Sequence, residues 1–283
     1  MGSSVGALRR INPIKYIENA VRLATALRGV GFALTGRTVF ELGTGRTVNG
    51  PVAWWLAGAE RIKTVDLNRY LREELCNESI SWIRSHPEDV DIVFRPLAVG
   101  AVFKERLARI DAVSPGLRSL FALCGIDYCA PLDATKSGLP DAFCDVYVST
   151  NVLEHVPPSV VRALFREARR ILRPGGMMAH YIDLRDHFYT TDPSITMVNF
   201  LQFPESEWEF LAGNRFMYQN RLRVHEYQTI FDEVGFRPCV LEKETDARSL
   251  AALRSGMLVD YRFAGRSVEE LATVGITVVG QFD

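Results

Sequence analysis

An apolar run that passes into a glycine turn is the feature that most constrains the fold of this chain. Thr38-Val-Phe-Glu41-Leu-Gly43-Thr-Gly45 changes within a few residues from strand-forming side chains to glycines, which accept backbone angles that other residues reach only with strain. A second apolar run, Ile62-Lys-Thr-Val-Asp66, ends on a carboxylate that suits the two hydroxyls of a ribose. Together the two runs predict the nucleoside-binding edge of a parallel sheet.

The glycine pattern differs from that of a dinucleotide site. The third glycine of Gly-x-Gly-x-x-Gly would fall on Val48, so the open helix N-terminus that a pyrophosphate needs is missing. Glu41, just before the turn, favours a ligand with a cation or an amine, because a buried carboxylate needs a positive or hydrogen-donating partner. S-adenosylmethionine meets both requirements and is the predicted cofactor.

Four blocks between residues 38 and 183 resemble, in their order, those of the class I S-adenosylmethionine-dependent methyltransferases. The blocks are Glu41-Leu-Gly-Thr-Gly45, Asp66, Ala130-Pro-Leu-Asp133-Ala134, and the segment from Asp145-Val-Tyr-Val-Ser-Thr-Asn151-Val-Leu-Glu-His155 through Leu172-Arg-Pro-Gly-Gly176 to Asp183. The resemblance implies an α/β fold: a Rossmann-like, seven-stranded, mainly parallel sheet with helices on both faces, whose last strand runs antiparallel between its neighbours. Thr47 departs from the family, which commonly has a third glycine there.

The resemblance also implies the cofactor contacts. Asp66 would hold the ribose, Asp133 the adenine amine, and Asn151 the methionyl part. The predicted cofactor-binding residues are Glu41, Gly43, Thr44, Gly45, Asp66, Leu67, Asp133, Ala134 and Asn151. Simpler roles stay open, because Glu41 could only fix the glycine turn, Asp66 could cap a helix, and Asp133 could be a turn aspartate.

Methyl transfer to a hydroxyl needs orientation and removal of a proton. His155 follows the predicted fourth strand and Asp183 ends the fifth, an arrangement similar to sugar O-methyltransferases that use a His and an Asp. His155 is the first candidate for the base and His187 the second, and Asp183 completes the predicted catalytic set. A helix-capping role for His155 and a loop hydrogen bond for His187 remain alternatives. His180 lies within a strand and is predicted to be a core residue.

Residues 184–224 form a predicted insertion that is rich in aromatic and polar side chains. A loop-rich segment of this length usually carries function, and aromatic rings beside Asn, Asp and Arg suit a hydroxyl-rich ring. We therefore predict a cap that binds the acceptor. Its predicted acceptor-binding residues are Asp186, Tyr189, Asn199, Tyr218 and Arg223. A satellite core or a dimer contact is the alternative.

The bulk properties favour one enzyme domain in the cytoplasm. The 283 residues fit a single α/β domain, with an N-terminal helical segment at 1–36 and the cap at 184–224. A net charge of -1 does not indicate a basic surface for nucleic acid, and no apolar run is long enough to span a membrane. The five cysteines lack paired spacing and are predicted to be reduced thiols. A homodimer stays possible. Trp54 and Trp55 are adjacent on a predicted helix, so at most one is expected to face the same core, and both are predicted to have packing roles.

These observations predict transfer of a methyl group to a hydroxyl of a saccharide or glycan precursor. Two alternatives remain: methylation of a phenol, amine or acid of a secondary metabolite, and a cofactor-binding subunit without turnover. No metal site is predicted. Asp183, Asp186 and Asp192 could converge as oxygen ligands for magnesium, but nothing in their spacing requires it.

Overall fold

The computed structural model describes residues 12–213 and 218–283. One mixed sheet runs through these ranges, in the order β3-β2-β1-β4-β5-β7-β6. Its strands are β1 Thr38–Leu42, β2 Arg61–Val65, β3 Ile126–Cys129, β4 Cys144–Thr150, β5 Leu172–Asp183, β6 Phe236–Thr245 and β7 Thr273–Phe282. Strands β1 to β5 are parallel, and β7 lies antiparallel between β5 and β6. The predicted seven-stranded, mainly parallel sheet is confirmed.

Helices cover both faces of this sheet. They are α1 Ile14–Gly29, α2 Asn49–Leu56, α3 Glu73–Ser85, α4 Pro87–Phe94, α5 Gly100–Ala112, α6 Leu117–Cys124, α7 Pro158–Ile171, α8 Glu205–Ala212, α9 Val224–Val234, α10 Ala247–Arg254 and α11 Val268–Leu271. The region 87–124 folds into the helices α4, α5 and α6. None of the helices in the described ranges is both long and apolar enough to cross a bilayer.

Alternation of side chains along the strands separates two hydrophobic layers. On β1, Val39 packs with α1 and α2 on one face, while Phe40 packs on the other face with α7 and α9. Neighbouring side chains of a strand point to opposite faces, so a strand buried on both sides is apolar at every position. The arrangement leaves the carboxyl ends of β1, β2, β4 and β5 at one edge, where their loops meet. The five cysteines are all free thiols.

The described part of the 184–224 insertion builds a third hydrophobic cluster. Val198, Phe200, Leu201 and Trp208 are buried there, against residues from α10, α11 and the segment around Phe263. The insertion contains two short 3-10 helices, His187–Thr190 and Asn199–Gln202, before α8. Asn214 and Arg215, which contribute to its polar composition, lie outside the described residues, as do residues 1–11 of the predicted N-terminal segment.

Candidate active site

The glycine turn after β1 is built around the carboxylate of Glu41. Glu41 is 8% exposed, and its Oε1 accepts the indole N–H of Trp54 at 2.9 Å. Its Oε2 accepts the Thr64 hydroxyl at 2.6 Å, and Thr64 also bonds the hydroxyl of Thr44 in the turn. Burial raises the pKa of Glu41 to about 7, against the lowering effect of both hydrogen bonds. Glu41 therefore fixes the turn, and a contact with a cofactor amine stays a proposal.

The same turn is tied to the end of β2 by Asp66. The backbone N–H of Gly45 donates to Asp66 Oδ2 at 2.9 Å, so the two predicted cofactor acids flank one loop. The backbone carbonyl of Asp66 accepts from Leu132 N–H at 2.9 Å, which brings the segment of Asp133 beside it. Asp133 is exposed and accepts from the Thr135 amide and hydroxyl, bonds that lower its pKa. Asp133 thus forms a turn at the rim that also suits an adenine amine.

The loop after β4 touches the glycine turn directly. Asn151 adopts a left-handed backbone conformation with φ of 54°, and its N–H donates to the Tyr181 carbonyl at 3.0 Å. Val152 then packs against Gly43, where an added Cβ would lie 2.4 Å from Val152 Cγ2. Gly43 must therefore be glycine for steric reasons as well as for its φ of 87°. This contact links the predicted cofactor turn to the loop that carries His155.

Two predicted catalytic histidines meet at this edge. The rings of His155 and His187 have centroids 4.9 Å apart, although 32 residues separate the two positions along the chain. His155 Nδ1 lies 3.0 Å from the Tyr218 carbonyl, which fixes the proton on Nδ1 and leaves Nε2 free as an acceptor. Partial burial and the neighbouring His187 lower the pKa of His155. The imidazole of His155 is therefore neutral at pH 7 and able to accept a proton.

The carboxylate of Asp183 lies beside His187. Its Oδ2 lies 3.6 Å from His187 Nε2, and Arg185 binds both carboxylate oxygens through its side chain. Burial raises the pKa of Asp183, but the hydrogen bonds and charge of Arg185, together with His187, outweigh burial and hold the pKa well below the usual range. Asp183 is thus a permanent negative charge beside His187 and is not itself a base at neutral pH.

Glu154, which the sequence prediction does not include, completes this group. It is 1% exposed, neither of its carboxylate oxygens has a hydrogen-bond partner within residues 12–213 and 218–283, and burial raises its pKa well above the usual value. Oε1 of Glu154 lies 3.9 Å from His155 Nε2. Its apolar flanks in Asn151-Val-Leu-Glu-His-Val are the signal that could have indicated a buried acid.

The insertion residues predicted to bind the acceptor divide into two groups. Tyr189, Asn199 and Tyr218 are partly exposed. Asp186 is 1% exposed and caps the His187–Thr190 turn through the Phe188 amide, and Arg223 is fully buried. The Arg223 guanidinium donates to the backbone carbonyls of Leu184, Leu271 and Thr273. The structure gives Asp186 and Arg223 an internal supporting role in place of the predicted acceptor contact, since both are buried and Asp186 Oδ1 and the terminal nitrogens of Arg223 bond backbone groups.

Two further residues from the sequence analysis, His180 and Trp55, lie in the core. His180 is fully buried and bonds Ser149 at 2.7 Å, and burial lowers its pKa to about 3. It is a core histidine, in agreement with its position inside a strand. Trp55 packs in the core beneath the guanidinium groups of Arg106 and Arg109.

Residues 127–180, from within β3 into β5, match the family model described as Methyltransferase domain. The PH0226 protein of Pyrococcus horikoshii OT3 is 14% identical in sequence and has a TM-score of 0.50, over 95% of this chain and 90% of that one. A geranyl diphosphate methyltransferase in complex with S-adenosylmethionine is 12% identical, with a TM-score of 0.50 over 94% and 85% of the two chains. At these identities the similarity shows the fold alone. The chain matches none of the curated proteins with which it was compared.

The matched segment and the fold support an S-adenosylmethionine-dependent methyltransferase. S-adenosylmethionine supplies a methyl group on a sulfonium centre and is the cofactor that the site fits. Gly45 borders open space, since an added Cβ would meet no atom within 4 Å, and Asp66 offers a carboxylate at the same turn. A backbone open to a ligand beside an acid suits a ribose, and the exposed Asp133 at the neighbouring rim suits the adenine amine.

Proposed function

We propose that this methyltransferase modifies a hydroxyl group of a saccharide or glycan precursor. The observation that carries the proposal is the paired rings of His155 and His187, whose centroids lie 4.9 Å apart beside the buried Asp183. A hydroxyl is a weak nucleophile until its proton is removed, whereas many amines need no such base. A neutral histidine with a free ring nitrogen at this edge therefore favours an oxygen acceptor.

A hydrogen bond indicates which ring nitrogen of His155 would take the proton of the acceptor. His155 Nδ1 is bound to the Tyr218 carbonyl, so Nε2 is the atom that would take the proton of the acceptor hydroxyl. His187 lies against this ring, and Asp183 would stabilise a positive charge on His187 across 3.6 Å. We propose that His155 is the base and that the neighbouring His187 shares the positive charge that results. In the alternative assignment, His187 is the base.

The saccharide class rests on the side chains that stay accessible in the insertion. Tyr189 belongs to the same short helix as His187, and the backbone of Tyr218 contacts His155. Asn199 is also partly exposed. Tyrosine rings with an amide nearby can cover the apolar face of a sugar ring and bond its hydroxyls. Asp186 and Arg223 are buried, so the support for a saccharide acceptor rests on Tyr189, Asn199 and Tyr218.

The test is methyl transfer from labelled S-adenosylmethionine to a panel of saccharides, phenols, amines and acids, with the product bond identified by NMR. We expect an O-methyl saccharide. His155→Ala should lower turnover about 10²–10⁴-fold while the affinity for S-adenosylhomocysteine, measured by calorimetry, stays unchanged. His86→Ala, which changes an exposed histidine at the C-terminal end of α3, is the control and should retain turnover.

Four outcomes would contradict the proposal in different ways. Methyl groups found only on amines or acids would exclude the hydroxyl acceptor, and those found only on phenols would exclude the saccharide. Cofactor binding without transfer to any acceptor would indicate a binding subunit. Full turnover of both His155→Ala and His187→Ala would exclude a histidine base.

A further inference from the structure

Glu154, His155 and His187 form a compact group of potential metal ligands. One ligand atom from each residue lies within 4.8 Å of the other two. The three side chains come from the short helices Leu153–His155 and His187–Thr190, which follow β4 and β5. A set of two imidazoles and one carboxylate from separate loops is characteristic of sites for zinc-like divalent metals, and it leaves coordination positions open.

The buried carboxylate gives an independent reason to expect a ligand. Glu154 is 1% exposed, and neither of its oxygens makes a hydrogen bond of normal geometry among the residues that the structure describes; the backbone N–H groups of Glu154 and Asp183 lie near the carboxylate. Burying a carboxylate without a partner is costly, and such groups are normally paired with a cation or coordinated to a metal. The nearest ring nitrogen is Nε2 of His155, at 3.9 Å from Oε1.

The surroundings of the two imidazoles resemble those of metal-binding histidines. Such a histidine usually donates its second ring N–H to a backbone carbonyl or a carboxylate. His155 Nδ1 has the Tyr218 carbonyl at 3.0 Å, and the carboxylate of Asp183 lies 3.6 Å from His187 Nε2. Asp183 is held in place by Arg185, so the supporting groups are already fixed.

We propose that Glu154, His155 and His187 bind one divalent metal ion of the zinc class, with an open position that faces the acceptor. Ligands at about 2.0–2.2 Å from a tetrahedral ion lie about 3.3–3.6 Å apart, so the three groups must close from their present separation. His155 and His187 retain partly exposed side chains, of 40% and 30%, and closure would need a shift of the short helices that carry the rings, so that His155 Nδ1 keeps its bond to the Tyr218 carbonyl. Magnesium is disfavoured because it prefers oxygen ligands.

The inference does not depend on the proposed function, and it replaces the histidine base of that proposal with a metal-bound acceptor hydroxyl. An open position on the ion would hold the acceptor hydroxyl and lower its pKa, so that the proton leaves to solvent when the oxygen binds. The histidines would then act as metal ligands and not as the base. Metal binding itself can be measured with no cofactor and no acceptor present.

The experiment uses the full chain without a histidine tag, stripped with a chelator and then dialysed. Calorimetry with Zn²⁺ should give one site per chain, and titration with Co²⁺ should give the visible absorption of a four- or five-coordinate ion. Glu154→Gln keeps the size of the buried side chain and should weaken Co²⁺ binding by at least about 10–100-fold, the loss that removal of even a supporting group causes. His187→Ala, at a partly exposed position, should do the same.

His225→Ala is the matched control, because His225 also lies beside a glutamate, Glu270, but away from the cluster. Its Co²⁺ affinity should equal that of the unchanged protein. Binding of less than one ion per chain, or Co²⁺ affinity unaffected by Glu154→Gln and His187→Ala, would overturn the inference. Methyl transfer by a protein that binds no metal would leave the proposed function standing, and metal binding without methyl transfer would leave the metal site standing.

Discussion

The indole N–H of Trp54, in the last turn of α2, donates to Oε1 of Glu41 at a distance of 2.9 Å. The contact joins the strand before the glycine turn to the helix after it. An added Cβ at Gly50, on the same helix, would lie 2.4 Å from the same oxygen. The carboxylate is therefore held between a donor and a backbone that leaves no room for displacement, which defines the shape of the turn between them.

Removal of this donor should destabilise the protein while the aromatic packing stays largely intact. For Trp54→Phe we expect the free energy of unfolding in urea to fall by about 1–3 kcal/mol, since a buried carboxylate loses a partner. Trp55→Phe removes the same atoms from the neighbouring ring, which packs in the core, and is the control for lost volume. Equal losses in the two variants would show that the hydrogen bond contributes nothing.

The raised pKa of Glu41 gives stability a pH dependence of defined sign. The folded pKa is about 7 against an ordinary value of 4.5, so the folded state binds more protons than the unfolded state between these values. Stability should therefore fall as pH rises from 4.5 to 7, by up to about 3 kcal/mol from this group. Urea unfolding across this range should show a steeper decline for the unchanged protein than for Glu41→Gln. Parallel pH profiles would contradict the assignment.

The packing of Val152 on Gly43 predicts unequal effects for two glycines of one turn. Gly43→Ala should cost about 2–5 kcal/mol, from a left-handed backbone and a collision with Val152 Cγ2. Gly45 has a φ of 70°, but an added Cβ there would meet open space. Gly45→Ala should therefore cost only about 1–2 kcal/mol. Thermal unfolding and binding of S-adenosylhomocysteine are the measurements.

A second change at Val152 tests the cause. Val152→Ala removes the methyl groups that the side chain introduced by Gly43→Ala would meet, so it should recover part of the stability in the Gly43→Ala background. In the unchanged background the same substitution should only destabilise, because it removes buried contacts. Failure to recover stability would mean that backbone strain alone accounts for the glycine.

Arg223 should prove to be a structural residue of the insertion. Arg223→Met leaves the carbonyls of Leu184, Leu271 and Thr273 without their shared donor, and we expect a loss of about 3 kcal/mol or more in unfolding free energy. Arg223→Lys should recover little, since an ammonium lacks the planar fork. Arg118→Met, at an exposed position, is the control. A stable Arg223→Met with weakened acceptor binding would restore the acceptor-binding prediction.

The strands of the sheet could be predicted from local patterns, whereas the antiparallel last strand between its neighbours is implied by the resemblance to the methyltransferase family. Apolar runs that end in Glu41, Asp66 and Asp183 indicate buried strands, and parallel strands carry their carboxyl ends to one edge. The same rule explains why His155 and His187, which follow β4 and β5, come together. The contact between their rings depends on loop conformations that no sequence period encodes.

The direction of polar side chains in the insertion could not be predicted. Asp186 and Arg223 have the composition of a ligand-binding loop but satisfy backbone groups inside it. A segment with little regular secondary structure leaves many carbonyls and amides unpaired, and polar side chains then serve those groups first. The hydrogen bond from Trp54 to Glu41 could not be predicted for a related reason. A tryptophan side chain can pack in a core or donate a hydrogen bond equally well.

Asn220 connects the insertion to the loop of His155. Its side chain donates to the carbonyls of Leu153 and Val156, and its backbone N–H donates to that of Glu154. Three hydrogen bonds therefore hold the insertion and the histidine loop together. Exchange of the insertion between relatives would release the loop, so new acceptor preferences should arise by single substitutions along the cleft wall and not by wholesale transplantation of this segment.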